Sequence, residues 1–252
     1  VSFLRIKNQR IIIVVAHPDD EVLWFFAGIE ALKKNNYLEI FCLTYTSNSL
    51  RGMELISFGN LHQISITFAD INDTGINCLL SEVSSNISNI LNKNKYDLAI
   101  THPPHGGEKP HPHHIQAHFA LKNECRRQNV KFAFFSEYNL QCQFIIANTC
   151  QLTRKNKNYI YKRLMRSYLL LNKEKILKKI FFFVKAVINL FFDYSTYELN
   201  EFTANIEEKK EALSIYKSQA DVLTSYNSYY RTREYLFIRS SNYITSSEFN
   251  NI

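Results

Sequence analysis

Glycine and proline are scarce in this 252-residue chain, at six and five residues, which argues against a disordered or low-complexity protein. The five cysteines, Cys42, Cys78, Cys125, Cys142 and Cys150, are scattered, odd in number and without a CxxC pair. That argues against a disulfide framework and a cysteine zinc site, and for reduced thiols in a cytosolic compartment. No uncharged apolar run is long enough for a conventional transmembrane helix. Arg5, Lys7 and Arg10 precede an apolar run of only five residues, Ile11–Val15, too short for a signal-peptide core. No leader is expected. Internal repeats and linkers are also missing, so residues 1–252 read as one domain.

What is present is a globular composition, 46% hydrophobic and 21% charged, with a net charge of +7. The positive charge is local. Between Arg154 and Lys185 stand eleven Lys/Arg and one acid, Glu174, so the rest of the chain is mildly acidic. Residues 154–195 are read as a basic, aromatic, helical insertion. Within it, 159–192 offers peripheral membrane contact, with lysines on anionic headgroups and Phe and Leu at the acyl boundary. The competing reading packs its apolar side on the fold and turns lysine to water. No nucleic-acid motif accompanies the charge, so no nucleic-acid partner is expected. The location expected is cytoplasmic, peripheral on the inner membrane face if 159–192 binds lipid. Nothing in the sequence indicates an oligomeric state.

The first 140 residues alternate between strand and helix patterns. Strands are predicted at 11–16, 38–45, 65–69, 96–101 and 131–136, with helices at 21–34, 50–64, 79–91 and 112–127. Such alternation implies parallel pairing through right-handed crossovers. The fold class expected is α/β, a Rossmann-like, doubly wound, mostly parallel sheet with helices on both faces. Beyond residue 140 the rhythm fails. A short amphipathic helix over 207–219 and a last strand at 235–238 are the remaining expectations.

Two clusters lie beyond predicted strands, where open α/β sheets place their ligands. The first is Ala16-His17-Pro18-Asp19-Asp20-Glu21, straight after the β-branched run. His17 and Asp20, three apart, can converge on one ion, leaving Asp19 free to approach a water. Acidic residues at a helix N-terminus are the bland alternative. The second cluster holds six of the eight histidines, between 102 and 118. Pro112 suits the first turn of a helix, placing His111 at its cap and on one face with His114. His118, four residues beyond His114, is the rival metal ligand. His102 and His105 are expected at the pocket rim, and Glu21 is expected to hold the loop.

At these residues the chain resembles the LmbE/PIG-L zinc-dependent N-acetylglucosaminyl deacetylases, through the AHPDDE run and the later His111-x-x-His114. Arg51 and Glu54 match an RxxE in the second helix, Asp73 an acidic position after the third strand, and Tyr216-Lys217-Ser218-Gln219 a late helix end. The resemblance implies Zn²⁺ on His17, Asp20 and His114, Asp19 as general base, and a protonated His111 on the other side of the reaction. Arg51 and His113 would contact substrate. The substrate implied is an N-acetylated amino-sugar conjugate, in glycolipid or surface-polysaccharide synthesis. Many members carry Asp where this chain has His113, which implies altered tuning. The apolar Trp24-Phe25-Phe26-Ala27 is closer to the eukaryotic type, which acts on a glycolipid. Two alternatives stand beside this: an amidase on another acyl or thiol conjugate, and a non-catalytic membrane- or polyanion-binding module with a vestigial zinc site.

Overall fold

The computed structural model describes residues 6–73, 80–104, 106, 111–136, 197–221 and 233–239. The expected insertion, 154–195, lies outside the described residues. Seven strands form one sheet in the order β3-β2-β1-β4-β5-β7-β6. They are β1 (Arg10–Val15), β2 (Tyr37–Thr44), β3 (Ser65–Ile71), β4 (Leu98–Thr101), β5 (Lys131–Phe135), β6 (Tyr197–Thr203) and β7 (Arg233–Arg239). The first five are parallel, whereas β7 runs antiparallel to β5 and β6 antiparallel to β7. The doubly wound α/β expectation holds, with an antiparallel edge added.

Helices α1 (Asp20–Leu32), α2 (Leu50–His62), α3 (Leu80–Lys93) and α4 (Pro112–Gln128) alternate with these strands, and α5 (Ile206–Leu213) follows β6. Because strand side chains alternate in direction, β1 feeds two cores. Ile11, Ile13 and Val15 pack with residues of α1, α2 and α5, while Ile12 and Val14 pack with residues of α3 and α4. All five are fully buried. A five-residue apolar run without alternation is the signature of a strand covered on both faces.

Two expectations shift. Strand β6 lacked a sequence signal, since Glu198, Asn200 and Glu201 dilute its apolar positions. The predicted 207–219 helix stops at Leu213, and a 3₁₀ turn follows at Lys217–Gln219. Tyr216 leaves helical geometry (φ −85°, ψ 61°), is fully buried, and donates its hydroxyl to Glu21. Ser218 donates through both its amide and its hydroxyl to Glu54 on α2. The late Tyr-Lys-Ser-Gln segment thus ties down the elements that carry the first cluster.

Helix α1 is broken at Phe25 (φ −142°, ψ 22°). The break exposes the carbonyl of Leu23 and the amide of Ala27, which an unbroken helix would pair with each other. A buried ion pair replaces both halves of that bond. Lys209 Nζ donates to the Leu23 carbonyl at 3.0 Å and meets Glu234 at 2.6 Å, and Glu234 Oε2 accepts the Ala27 amide at 2.7 Å. Gly28 permits this, because a Cβ there would lie 2.1 Å from the Phe25 ring. Removing one partner leaves an uncompensated buried charge, costing about 3–5 kcal/mol. Lys209→Met is therefore expected to lower the denaturation midpoint strongly, and Lys209→Met/Glu234→Gln to lower it less, in a urea-unfolding comparison.

Candidate metal centre and active site

The strand order reverses between β1 and β4, which lie side by side and parallel. The chain leaves β1 toward α1 and leaves β4 toward α4, so a crevice opens between the two exits. Both sequence clusters meet there.

The turn after β1 is held from three sides. The Ala16 carbonyl accepts both the amide (3.0 Å) and the hydroxyl (2.7 Å) of Thr44, and the Ala16 amide donates to His102 Nε2 at 2.8 Å. Arg51 Nη2 donates to the Pro18 carbonyl at 2.8 Å. Asp19 then turns the chain at φ 106°, a conformation rare for residues other than glycine and a local store of strain. The turn lets Asp20 Oδ2 accept the His17 amide at 2.8 Å.

That same oxygen completes a triangle. Asp20 Oδ2 lies 3.3 Å from His17 Nδ1 and 3.4 Å from His114 Nε2, and the two ring nitrogens are 3.4 Å apart. Tetrahedral zinc with bonds of about 2.0–2.2 Å sets its ligand atoms about 3.3–3.6 Å apart. The three atoms fit one small divalent cation, and their types (two imidazoles and a carboxylate) suit zinc. All three residues are buried. Burial opposes ionisation of Asp20, but the neighbouring His114 and His102 hold its carboxyl well below the usual range.

The other predicted residues group around this triangle. His111 caps α4 and stands edge-on to His17, ring centroids 4.5 Å apart. With His17 and His114 it makes another trio able to hold a metal. Burial, together with His114 and His17, lowers its pKa to about 3, which favours the neutral imidazole. Asp19 is pushed up to about 7 by burial and by the charge of Asp20, against the pull of Arg51. Glu21 accepts the Asp19 amide as well as the Tyr216 hydroxyl, and burial pushes its carboxyl up to about 8. It holds the loop, as expected.

Four further residues find their partners inside the fold. Arg51 is not turned to open space: Nη2 meets Asp19 Oδ2 at 3.0 Å and Nη1 donates to the Tyr45 hydroxyl at 3.0 Å. His113 is 2% exposed and aims Nδ1 at His17 Nε2 (3.2 Å) and Asp73 Oδ1 (3.3 Å), so it abuts a candidate ligand and not the crevice. His118 packs among Phe119, Phe132 and Phe134, its Nδ1 on the His102 carbonyl at 2.8 Å, away from the triangle. His102 is no rim residue. It is fully buried, stacks on His114 with centroids 3.9 Å apart, and spends Nε2 on the Ala16 amide. His105 lies outside the described residues.

The least legible participant was Tyr45, at φ 63° just after β2. Its hydroxyl donates to Asp73 Oδ2 at 3.1 Å and accepts from Arg51. A chain of polar contacts thus runs from Asp19 through Arg51 and Tyr45 to Asp73 and His113. No spacing rule signals a lone tyrosine.

Residues 12–125 match the family described as PIG-L, GlcNAc-PI de-N-acetylase. The matched stretch holds both sequence clusters and spans a little under half of the chain. No curated protein matches the chain. Among solved structures, a deacetylase of the teicoplanin biosynthesis pathway is 14% identical, with a TM-score of 0.59 over 93% of this chain and 100% of that one. The A40926 pseudoaglycone deacetylase is 12% identical, with a TM-score of 0.59 over 95% and 100%. A zinc-inhibited form of teicoplanin deacetylase is 13% identical, with a TM-score of 0.58 over 93% and 100%. At these identities the likeness is one of fold.

Gly52 tests how the site is held. A Cβ there would meet the Thr46 carbonyl at 1.9 Å, so α2 would have to move with Arg51 at its first turn. Gly52→Ala is expected to cost about 1–3 kcal/mol, read as a lowered melting temperature, with the protein still folded by circular dichroism.

Proposed function

We propose that this chain is a zinc-dependent hydrolase that removes the N-acetyl group from an amino-sugar conjugate of N-acetylglucosamine type. The observation that carries the reading is the closed triangle of His17 Nδ1, Asp20 Oδ2 and His114 Nε2 with the Asp19 carboxylate beside it. The matched family's description supports the N-acetyl sugar as substrate class.

His17, Asp20 and His114 would hold the ion. Bound there, zinc supplies Lewis acidity, which activates water and polarises the acetyl carbonyl. Asp19 takes the proton of the attacking water. Arg51 engages its Oδ2, so Oδ1 is the oxygen left to receive that proton. A pKa near 7 suits a group that must accept and then release a proton near neutral pH. His111 acts from the α4 side of the crevice. Neutral at rest, it would donate a hydrogen bond as negative charge grows on the carbonyl oxygen, and the proton that Asp19 took from water is the one that passes to the departing amine. Arg51 serves chiefly to aim Asp19.

Among the described residues no helix is long and apolar enough to cross a membrane. The reading places the domain in the cytoplasm, with 154–195 as a basic insertion and 159–192 touching an anionic lipid face. The buried, unpaired Cys42 and Cys125 suit a reducing compartment. If the segment binds lipid, the full chain should co-sediment with phosphatidylserine-containing vesicles at low salt and leave them at high salt. No sedimentation at low salt removes the membrane assignment.

The direct test is acetate release from N-acetylhexosamine conjugates by the zinc-loaded full chain. Asp19→Asn is expected to keep zinc and lose about 100- to 10,000-fold in rate, and His114→Ala to lose the metal with the activity. Undiminished turnover by Asp19→Asn would overturn the mechanism.

A further inference from the structure

His17 presents a second nitrogen to a second triangle. Its Nε2 lies 3.2 Å from His113 Nδ1 and 3.7 Å from Asp73 Oδ1, and those two atoms are 3.3 Å apart. The three residues form one of the groups whose ligand atoms all lie close enough to share an ion. This triangle exists because position 113 is histidine.

This inference rests on the reading proposed above, in which His17 Nδ1 binds a metal. His17 Nδ1 then carries no proton, so Nε2 carries one. If His113 is protonated on Nε2, its Nδ1 accepts from His17 but sets a lone pair against the Asp73 carboxylate. Its Nε2–H then stays buried with no acceptor among the described residues. If His113 is protonated on Nδ1 instead, it donates to Asp73 beside the His17 N–H, and its buried Nε2 has no donor among the described residues. Buried polar groups left in this way are costly.

A cation between these atoms would meet a lone pair from each of the three residues. We infer that His17 Nε2, His113 Nδ1 and Asp73 Oδ1 form a second divalent-cation site, joined to the first through the His17 ring. The spacings resemble the edges of a zinc tetrahedron, one of them slightly long. Asp73 is suited to both tasks. Tyr45 donates to its Oδ2, leaving Oδ1 for the ion, and its side chain is 26% exposed, so water can reach the remaining position. As the second ion binds, a metal–Nε2 bond forms, the His17 Nε2–H bond breaks, and that proton leaves to solvent. The ring becomes a bridging imidazolate, carrying one ion on each nitrogen.

The test is a count of bound Zn²⁺, by equilibrium dialysis of the full chain with metal analysis, on wild type, Asp73→Asn and His113→Leu. Expected are two equivalents in wild type, the second weaker than the first, and one in each variant, the first held within about tenfold of its original affinity. Retention of that first ion also shows that the variants fold. One equivalent in wild type under saturating Zn²⁺ overturns the second site and leaves the proposed function standing, whereas none overturns both. Two equivalents in both variants put the second ion elsewhere. Loss of both ions in both variants gives Asp73 and His113 an orienting role on His17 instead, and also overturns the inference.

Discussion

A single carboxylate oxygen, Oδ2 of Asp20, organises the site. It accepts the His17 amide, faces His17 Nδ1 and His114 Nε2, and sits 3.5 Å from His102 Nε2. Buried without compensation, such a charge would cost several kcal/mol. The fold supplies that compensation from two directions, the turn after β1 and the helix after β4. Three imidazoles collect around one oxygen because adjacent parallel strands deliver both chain exits to the same end of the sheet.

The surroundings serve to keep that oxygen in place. Glu21 and Tyr216 hold the loop from below, Glu54 and Ser218 tie α2 to the late 3₁₀ turn, and the Lys209–Glu234 pair stabilises the break in α1. These contacts join residues up to 195 positions apart. A helix that begins with Asp20 and Glu21 on a strained turn is thus braced by the last described strand. Burial then sets the electrostatics: it raises Asp19 and Glu21 and lowers His111, while nearby imidazoles keep Asp20 ionised.

Much of this was legible in the sequence, for reasons that can be located. The unbroken Ile11–Val15 run declared a strand covered on both faces, and the βα rhythm declared parallel pairing. Pro112 marked the start of α4, and His111 stands at its cap as expected. His17, Asp20 and His114 do converge. What escaped detection depended on side-chain direction. His114 and His118 share a helical spacing, yet one faces the crevice and the other an aromatic pocket. Arg51 looked available for substrate until Asp19, Pro18 and Tyr45 were seen to occupy it. His113 looked like a substrate contact, but helix geometry turns it onto the back of His17. Strand β6 could not be seen because an edge strand tolerates polar residues on its uncovered side.

The central claim is that one zinc ion binds between the two strand exits, on His17 Nδ1, Asp20 Oδ2 and His114 Nε2. Anomalous diffraction at the zinc edge, on crystals of the protein loaded with one equivalent, tests it most directly. The account predicts one peak within about 2.0–2.2 Å of each of those three atoms. A peak coordinated instead by His111 with His17 and His114, leaving Asp20 unbound, would contradict it.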